Sequence, residues 1–167
     1  MDDYFQDYNK LAVPNIEFVV NEAKTLIAKR YILAMLSKKI SFKTYEECTK
    51  ASAQIMKEVD QLHKVFINVS PNIVDDDDHI CVIAMLSEVL KCEDEMLSFD
   101  LHRIVEKYSD ITEDHLLRLL YLRGDLTRSE LKEKVTFATR TPKPQILTKK
   151  SIFKQIVFPK LLVNLGL

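Results

Sequence analysis

The 167 residues are 47% hydrophobic and 29% charged, with two glycines, five prolines and a formal net charge of −1. So little glycine beside abundant Leu, Lys, Glu and Ile argues for helices and against a glycine-turned sheet. Near-neutral charge supplies no global field for nucleic acid, and the longest apolar runs are too short for a membrane span.

The average charge hides a gradient. Residues 1–22 carry Asp2, Asp3, Asp7, Glu17 and Glu22 against Lys10 alone, whereas Lys132 to Lys160 holds eight basic residues against Glu133. An acidic N-terminus without an apolar run predicts no signal peptide. Three cysteines without a close pair (Cys48, Cys81, Cys92) read as buried thiols in a reducing, intracellular setting.

After a lead-in over residues 1–14, Pro14 permits a helix from near Asn15 to about Ser37. Ile16, Val19, Val20, Ala23, Leu26, Ile27, Arg30 or Tyr31, and Ala34 would form its inner face. "KKISFKTYEEC" breaks that pattern. Thr44 and Glu47 then form a capping box, opening a second helix with the stripe Cys48, Ala51, Ile55, Val59, Leu62 and Phe66. "INVSPNIVDDDD" reads as a loop. A third helix, His79 to Lys91, is apolar nearly all round and belongs in the middle of a bundle. A fourth, about Glu95 to Tyr108, would turn Met96, Phe99, Ile104 and Val105 inward. Thr112 caps a fifth, with Leu116, Leu119, Leu120 and Leu122 inside. Thr127 and Glu130 make a second capping box for a sixth, ended by "TPKP". Residues 141–149 then link to a tail, "SIFKQIVFPKLLVNLGL", of one or two short helices broken at Pro159. The whole is predicted to be one all-α domain: an elongated antiparallel bundle of about six or seven helices.

The run Asp75 to Asp78 is the most conspicuous candidate site. A calcium loop needs alternating oxygen ligands, a central glycine and a glutamate at its twelfth position; counting from Asp75 gives Ile80 and Leu86 there. The run is better read as a solvated helix start facing exposed amides and the positive end of the dipole. His79 and Cys81 have no second pair at zinc spacing. No metal, cofactor or catalytic residue is predicted, and no enzyme. In "RGD", Gly124 is expected to be a left-handed helix terminus and Asp125 part of the turn before Thr127.

The basic tail offers more. Lys149, Lys150, Lys154 and Lys160 alternate with Ile152, Phe153, Ile156 and Leu161. Such a segment can lie on an anionic membrane, at roughly 1 kcal/mol per lysine, or pack its apolar face inward and leave the lysines wet. Its apolar positions cover too much circumference for a purely superficial helix. Packing is therefore favoured, with membrane or partner contact as an added role. Nucleic-acid binding lacks a stacking platform.

Three segments carry a family resemblance: "KKISFKTYEECTKASAQIMKEVDQLHKVF", "YSDITEDHLLRLLYLRGDLTR" and "SIFKQIVFPKLL". Together they resemble, in order over roughly residues 30 to 165, the C-terminal end of the third exocyst subunit. That family of vesicle-tethering proteins includes tumour-necrosis-factor-inducible and exocyst-like relatives. Lys39 to Phe42, Asp110, Asp114, His115, Arg123, Gly124 and Asp125 match its signature, at helix ends and between helices. The resemblance implies the last bundle of a longer rod: a non-catalytic module in the docking of secretory vesicles at the plasma membrane. It implies other exocyst subunits and SNARE proteins as partners, with peripheral membrane association from the cytoplasm. Anionic phospholipid, phosphoinositide in particular, is the alternative ligand. The basic tail lysines and the polar edge around Arg123 and Asp125 are the expected contact regions.

Overall fold

The computed structural model describes residues 13–69, 79–140 and 152–158. Among them are six α-helices and one short 3-10 turn, so the architecture is an all-α bundle. The helices are α1 (Val13–Met35), α2 (Tyr45–Val69), α3 (Ile80–Lys91), α4 (Asp94–Lys107), α5 (Glu113–Tyr121) and α6 (Arg128–Thr139); the 3-10 turn spans Phe153–Gln155. The run Asp75 to Asp78 lies outside the described residues, as do residues 1–12 of the lead-in and the 141–149 linker; the first helix begins at Val13, two residues before the expected start.

Helix α3 explains the arrangement. Ile80, Val82, Ile83, Leu86, Val89 and Leu90 are all buried, so this helix has apolar surface on more than one side. Burial of each such side chain is worth about 1.5–3 kcal/mol, and only neighbours on several sides realise it. Accordingly α3 packs against α1, α2, α4 and α5, with its most extensive pairing to α2. Helix α6 closes the far side against α4 and α5.

Cross-helix contacts give the directions. Lys24 lies over the Phe66 ring and Tyr31 bonds Glu58, so α1 and α2 are antiparallel. Asp94 pairs with Lys134, Phe99 meets Phe137 and His102 meets the Ala138 carbonyl, so α4 and α6 run in the same sense. That is possible because α5 intervenes and returns the chain.

Two helix faces differ from the sequence reading. In α1 the buried side chains are Val20, Ala28, Ile32 and Met35, while Val19, Leu26 and Ile27 are exposed. In α4, Leu97 and Leu101 join Ile104 and Val105 inside, leaving Met96 and Phe99 at the surface. Both helices carry apolar residues on more than one side, so spacing alone did not select the face that meets α3. Helix α2 also runs through Val69, three residues into the stretch read as loop.

The termini follow local chemistry. Thr127 accepts from the Glu130 amide while Glu130 accepts from the Thr127 amide, the reciprocal box expected there. At α2, Thr44 accepts from the Glu47 amide, but the Glu47 carboxylate takes the amide of Lys43, one residue earlier. At α5, Thr112 caps as expected and the returning acceptor is the His115 ring. The left-handed residue after a helix is Lys38 at φ 61°, beyond α1.

Gly124 is not left-handed, which corrects the sequence expectation. It is needed for space: a Cβ there would collide with Ser41 Oγ and sit 2.8 Å from the Phe42 carbonyl oxygen. Two backbone bonds create the closeness, from Phe42 N–H to Leu122 O (2.8 Å) and from Gly124 N–H to Phe42 O (2.7 Å). They form an isolated parallel bridge between Phe42 and Arg123. Gly124→Ala is expected to destabilise the chain by about 1–3 kcal/mol through overpacking, since the backbone angle itself suits alanine. Chemical denaturation would measure this; an unchanged midpoint would contradict the contact.

Candidate functional site

The "RGD" triplet sits where three inter-helix corners meet. Arg123 is only 2% exposed. Its guanidinium donates from Nη1 to the Cys92 carbonyl at the α3–α4 corner (2.5 Å). From Nε (3.2 Å) and Nη2 (2.8 Å) it donates to the two carboxylate oxygens of Asp125. It also stands 5.9 Å from the centre of the Tyr45 ring, at the start of α2. The planar fork of arginine suits this bidentate geometry, which a lysine could not reproduce. The hydrogen bonds from Arg123 hold the Asp125 carboxyl below the usual carboxylate range. Burial pushes the Cys92 thiol up to about 12, so it is a packed thiol rather than a thiolate. Arg123 is therefore an internal joint, while Asp125 is half-buried at its edge.

Residues that carried the family resemblance converge here. Lys39 to Phe42 lead into the bridge, and Arg123 to Asp125 receive it. Asp110, Asp114 and His115 act at a second joint. Asp110 accepts from the Lys154 amide (2.8 Å), and Asp114 accepts from Arg118 Nε (2.7 Å). The His115 ring accepts at Nδ1 from the Thr112 amide, because an N–H can only donate. Its Nε2 then carries the hydrogen and donates to the Ile156 carbonyl (2.8 Å). This tautomer fastens the tail to α5.

The tail packs. Ile152, Phe153 and Ile156 are buried, with Phe153 against Tyr108 and His115, and Phe158 stacked 4.0 Å from the Arg118 guanidinium. Lys154 is exposed. Lys149, Lys150 and Lys160 lie outside the described residues. No group of three or more histidine, cysteine or acidic residues among the described residues is placed to hold a metal ion, and no described helix is long and apolar enough to cross a membrane.

Two of the surface grooves are lined by described residues. One, of about 380 Å³ between α3 and α4, is edged by Glu88, Asp100, Arg103 and Lys107. Its charges are locally matched, Lys91 to Glu88 and Arg103 to Asp100. The other, of about 390 Å³, lies between α1 and α2 with Leu122 beneath it. Its lining is apolar except at one end, where Glu58 accepts from Tyr31 Oη (2.5 Å) and Gln54 Nε2 (3.0 Å). Those two hydrogen bonds lower the Glu58 pKa. Burial, followed by the bond to Glu58, raises that of Tyr31 beyond its ordinary range. Sequence reading missed this pair, and also the inward position of Arg123 and the double role of His115. Only the i, i+4 placement of Gln54 and Glu58 on one helical face was a local signal.

A profile of the exocyst complex component Sec6 family matches residues 1–128. This chain belongs to that family. It is 42% identical over 160 residues to exocyst complex component 3 of Drosophila melanogaster, covering 95% of the chain and 22% of the relative. It is 22% identical over 159 residues to the exocyst complex component 3-like protein of Mus musculus, covering 93% and 21%. The human 3-like protein is 24% identical over 129 residues, covering 76% and 17%. The Sec6-family chain thus spans about a fifth of the length of these curated relatives. No solved structure matches it. Of the signature residues, Phe42, Arg123 and Gly124 join at the bridge, while Asp110 and His115 hold the tail.

The Tyr31–Glu58 bond links α1 to α2 and has a defined pH window. Glu58 has a lowered folded-state pKa, so its contribution is present above the unfolded value near 4.3 and lost as pH falls through the folded value. Tyr31 has a raised folded-state pKa, so its contribution is present below about 10 and lost as pH rises further. Tyr31→Phe is therefore expected to cost about 1 kcal/mol at pH 7, discounted for partial exposure. The difference from wild type should shrink at pH 3 and above pH 10.5 in denaturant titrations. A difference constant across pH would contradict the pairing.

Proposed function

We propose that the chain is a non-catalytic protein-interaction module of an exocyst tethering subunit. It acts in docking secretory vesicles at the plasma membrane by binding other exocyst subunits and SNARE proteins, from the cytoplasmic side. The observation that carries this reading is family membership across most of the chain. The geometry supports it in kind: the titratable groups of the two joints are engaged in holding helices together, while both grooves lie between rigid helices at the surface. Rigid helices hold side chains in fixed register, the property a partner helix needs.

A second reading rests on the tail. Burial of Ile152, Phe153 and Ile156 turns Lys154 to solvent, where it can act with Lys149, Lys150 and Lys160 on anionic phospholipid. Attraction there would be electrostatic and salt-sensitive.

Affinity capture from eukaryotic cells, with the chain as bait, tests the first reading. Recovery of exocyst subunits or SNARE proteins above a scrambled-surface control is expected, and failure to recover either would overturn it. Sedimentation with phosphoinositide-containing liposomes tests the second. Binding that fails to weaken between 50 and roughly 300 mM salt, or is unchanged when the four lysines become glutamate, would exclude a lysine-driven contact.

A further inference from the structure

The groove between α1 and α2 combines a shape, a length and a charge that together describe an occupant. Helices α1 and α2 approach through the Tyr31–Glu58 bond and the Lys24–Phe66 contact, yet a hollow of about 390 Å³ remains between them. Small side chains leave it open: Ala34 on α1 and Ala51 on α2. Ile40, 51% exposed, stands at the end nearest the Arg123 bridge. Along α2 the lining runs from Ala51 to Glu58, two helical turns or about 10 Å.

The two ends differ. At the Ile40 and Phe42 end the walls are apolar. At the other end sits the Glu58 carboxylate, held in its charged form by Tyr31 and Gln54. Both of those donors are neutral, and no described cation forms an ion pair with Glu58. A lone carboxylate at the mouth of an apolar trough, two turns along α2 from Ala51, is complementary to one pattern in particular. An amphipathic helix laid along the groove would put apolar side chains at i and i+3 or i+4 into the hollow, and a cation at about i+7 against Glu58. Arginine fits best, since a guanidinium can pair bidentately with the carboxylate.

We propose that this groove docks an amphipathic helical segment of another protein, with two aliphatic or aromatic anchors followed, about two turns from the first, by an arginine or lysine that pairs with Glu58. The proposal rests on the interaction-module reading and names the chemistry of its partner. The anchors supply affinity by displacing water from Ala34, Ala51 and Ile55, and the cation sets direction and selectivity.

The test uses the full chain, isotope-labelled at its methyl groups and amides, and two synthetic 15-residue helical peptides. One peptide carries leucine at i and i+4 with arginine at i+7; the other replaces that arginine with glutamate. Titration followed by NMR is expected to shift the methyl signals of Ala34, Ile40, Ala51 and Ile55. The arginine peptide should bind about tenfold more tightly than the glutamate peptide. Glu58→Gln should reduce that preference to about twofold or less while leaving the fold intact. Ala34→Trp, at an exposed position, should fill the hollow and abolish binding of both peptides.

Equal affinity for the two peptides would overturn the proposal, as would shifts confined to another face. So would signals showing the same methyls already covered in the free chain, by its own residues 159–167 or, concentration-dependently, by a second copy. The groove and the general function fail separately. Exocyst capture retained by Ala34→Trp, with no peptide binding by wild type, would end the groove proposal and leave the module reading standing. Loss of capture by the wild-type chain would end the module reading.

Discussion

The buried guanidinium of Arg123 organises one end of this bundle. Arg123 is almost wholly removed from water, and an unpaired charge in that position would cost several kcal/mol. Its partners come from different corners: Asp125 beside it, the Cys92 carbonyl at the α3–α4 junction, and the Tyr45 ring at the head of α2. Meeting its needs therefore fixes where three helix ends lie. The backbone bridge through Phe42 adds the α1–α2 connection to the same point, and Gly124 is small enough to let it close. Removing Asp125 would leave the Arg123 guanidinium buried without its carboxylate, which is why this joint constrains more than its few contacts suggest.

With the corners fixed, the helices between them pack by burial. Helix α3 is apolar around most of its circumference and serves as the shared core element, and the tail adds Ile152, Phe153 and Ile156 against α5. His115 connects the two scales. One ring nitrogen completes the cap of its own helix, and the other holds a carbonyl 41 residues away. A functional surface can form where packing is left incomplete, as between α1 and α2, without loosening the joints on which the fold depends.

Much of this was legible in sequence because it is local. A threonine three residues before a glutamate announced the start of α6, and the uninterrupted apolar stretch from Ile80 marked the central helix. The faces of α1 and α4 were not legible. Leu26 and Ile27, like Met96 and Phe99, satisfy a helical period as well as the residues that are buried, and only the position of α3 decides between them. Gly124 was correctly placed at a helix end for the wrong physical reason: the need is clearance from the Phe42 backbone. Arg123 looked like a surface charge because arginine usually is one. Its partners at Cys92 and Tyr45 are 31 and 78 residues distant, beyond any local pattern. For the groove, nothing in the spacing of α1 or α2 foretold that Ala34 and Ala51 would line the same hollow.

Native-state hydrogen exchange at two backbone amides tests the central role of this joint most directly. The Phe42 and Gly124 amides donate across the bridge that Arg123 anchors. They should exchange only with global unfolding, as slowly as amides in the middle of α3 such as Leu86. Exchange of either amide through local opening, orders of magnitude faster than Leu86, would show the bundle holding together without the joint.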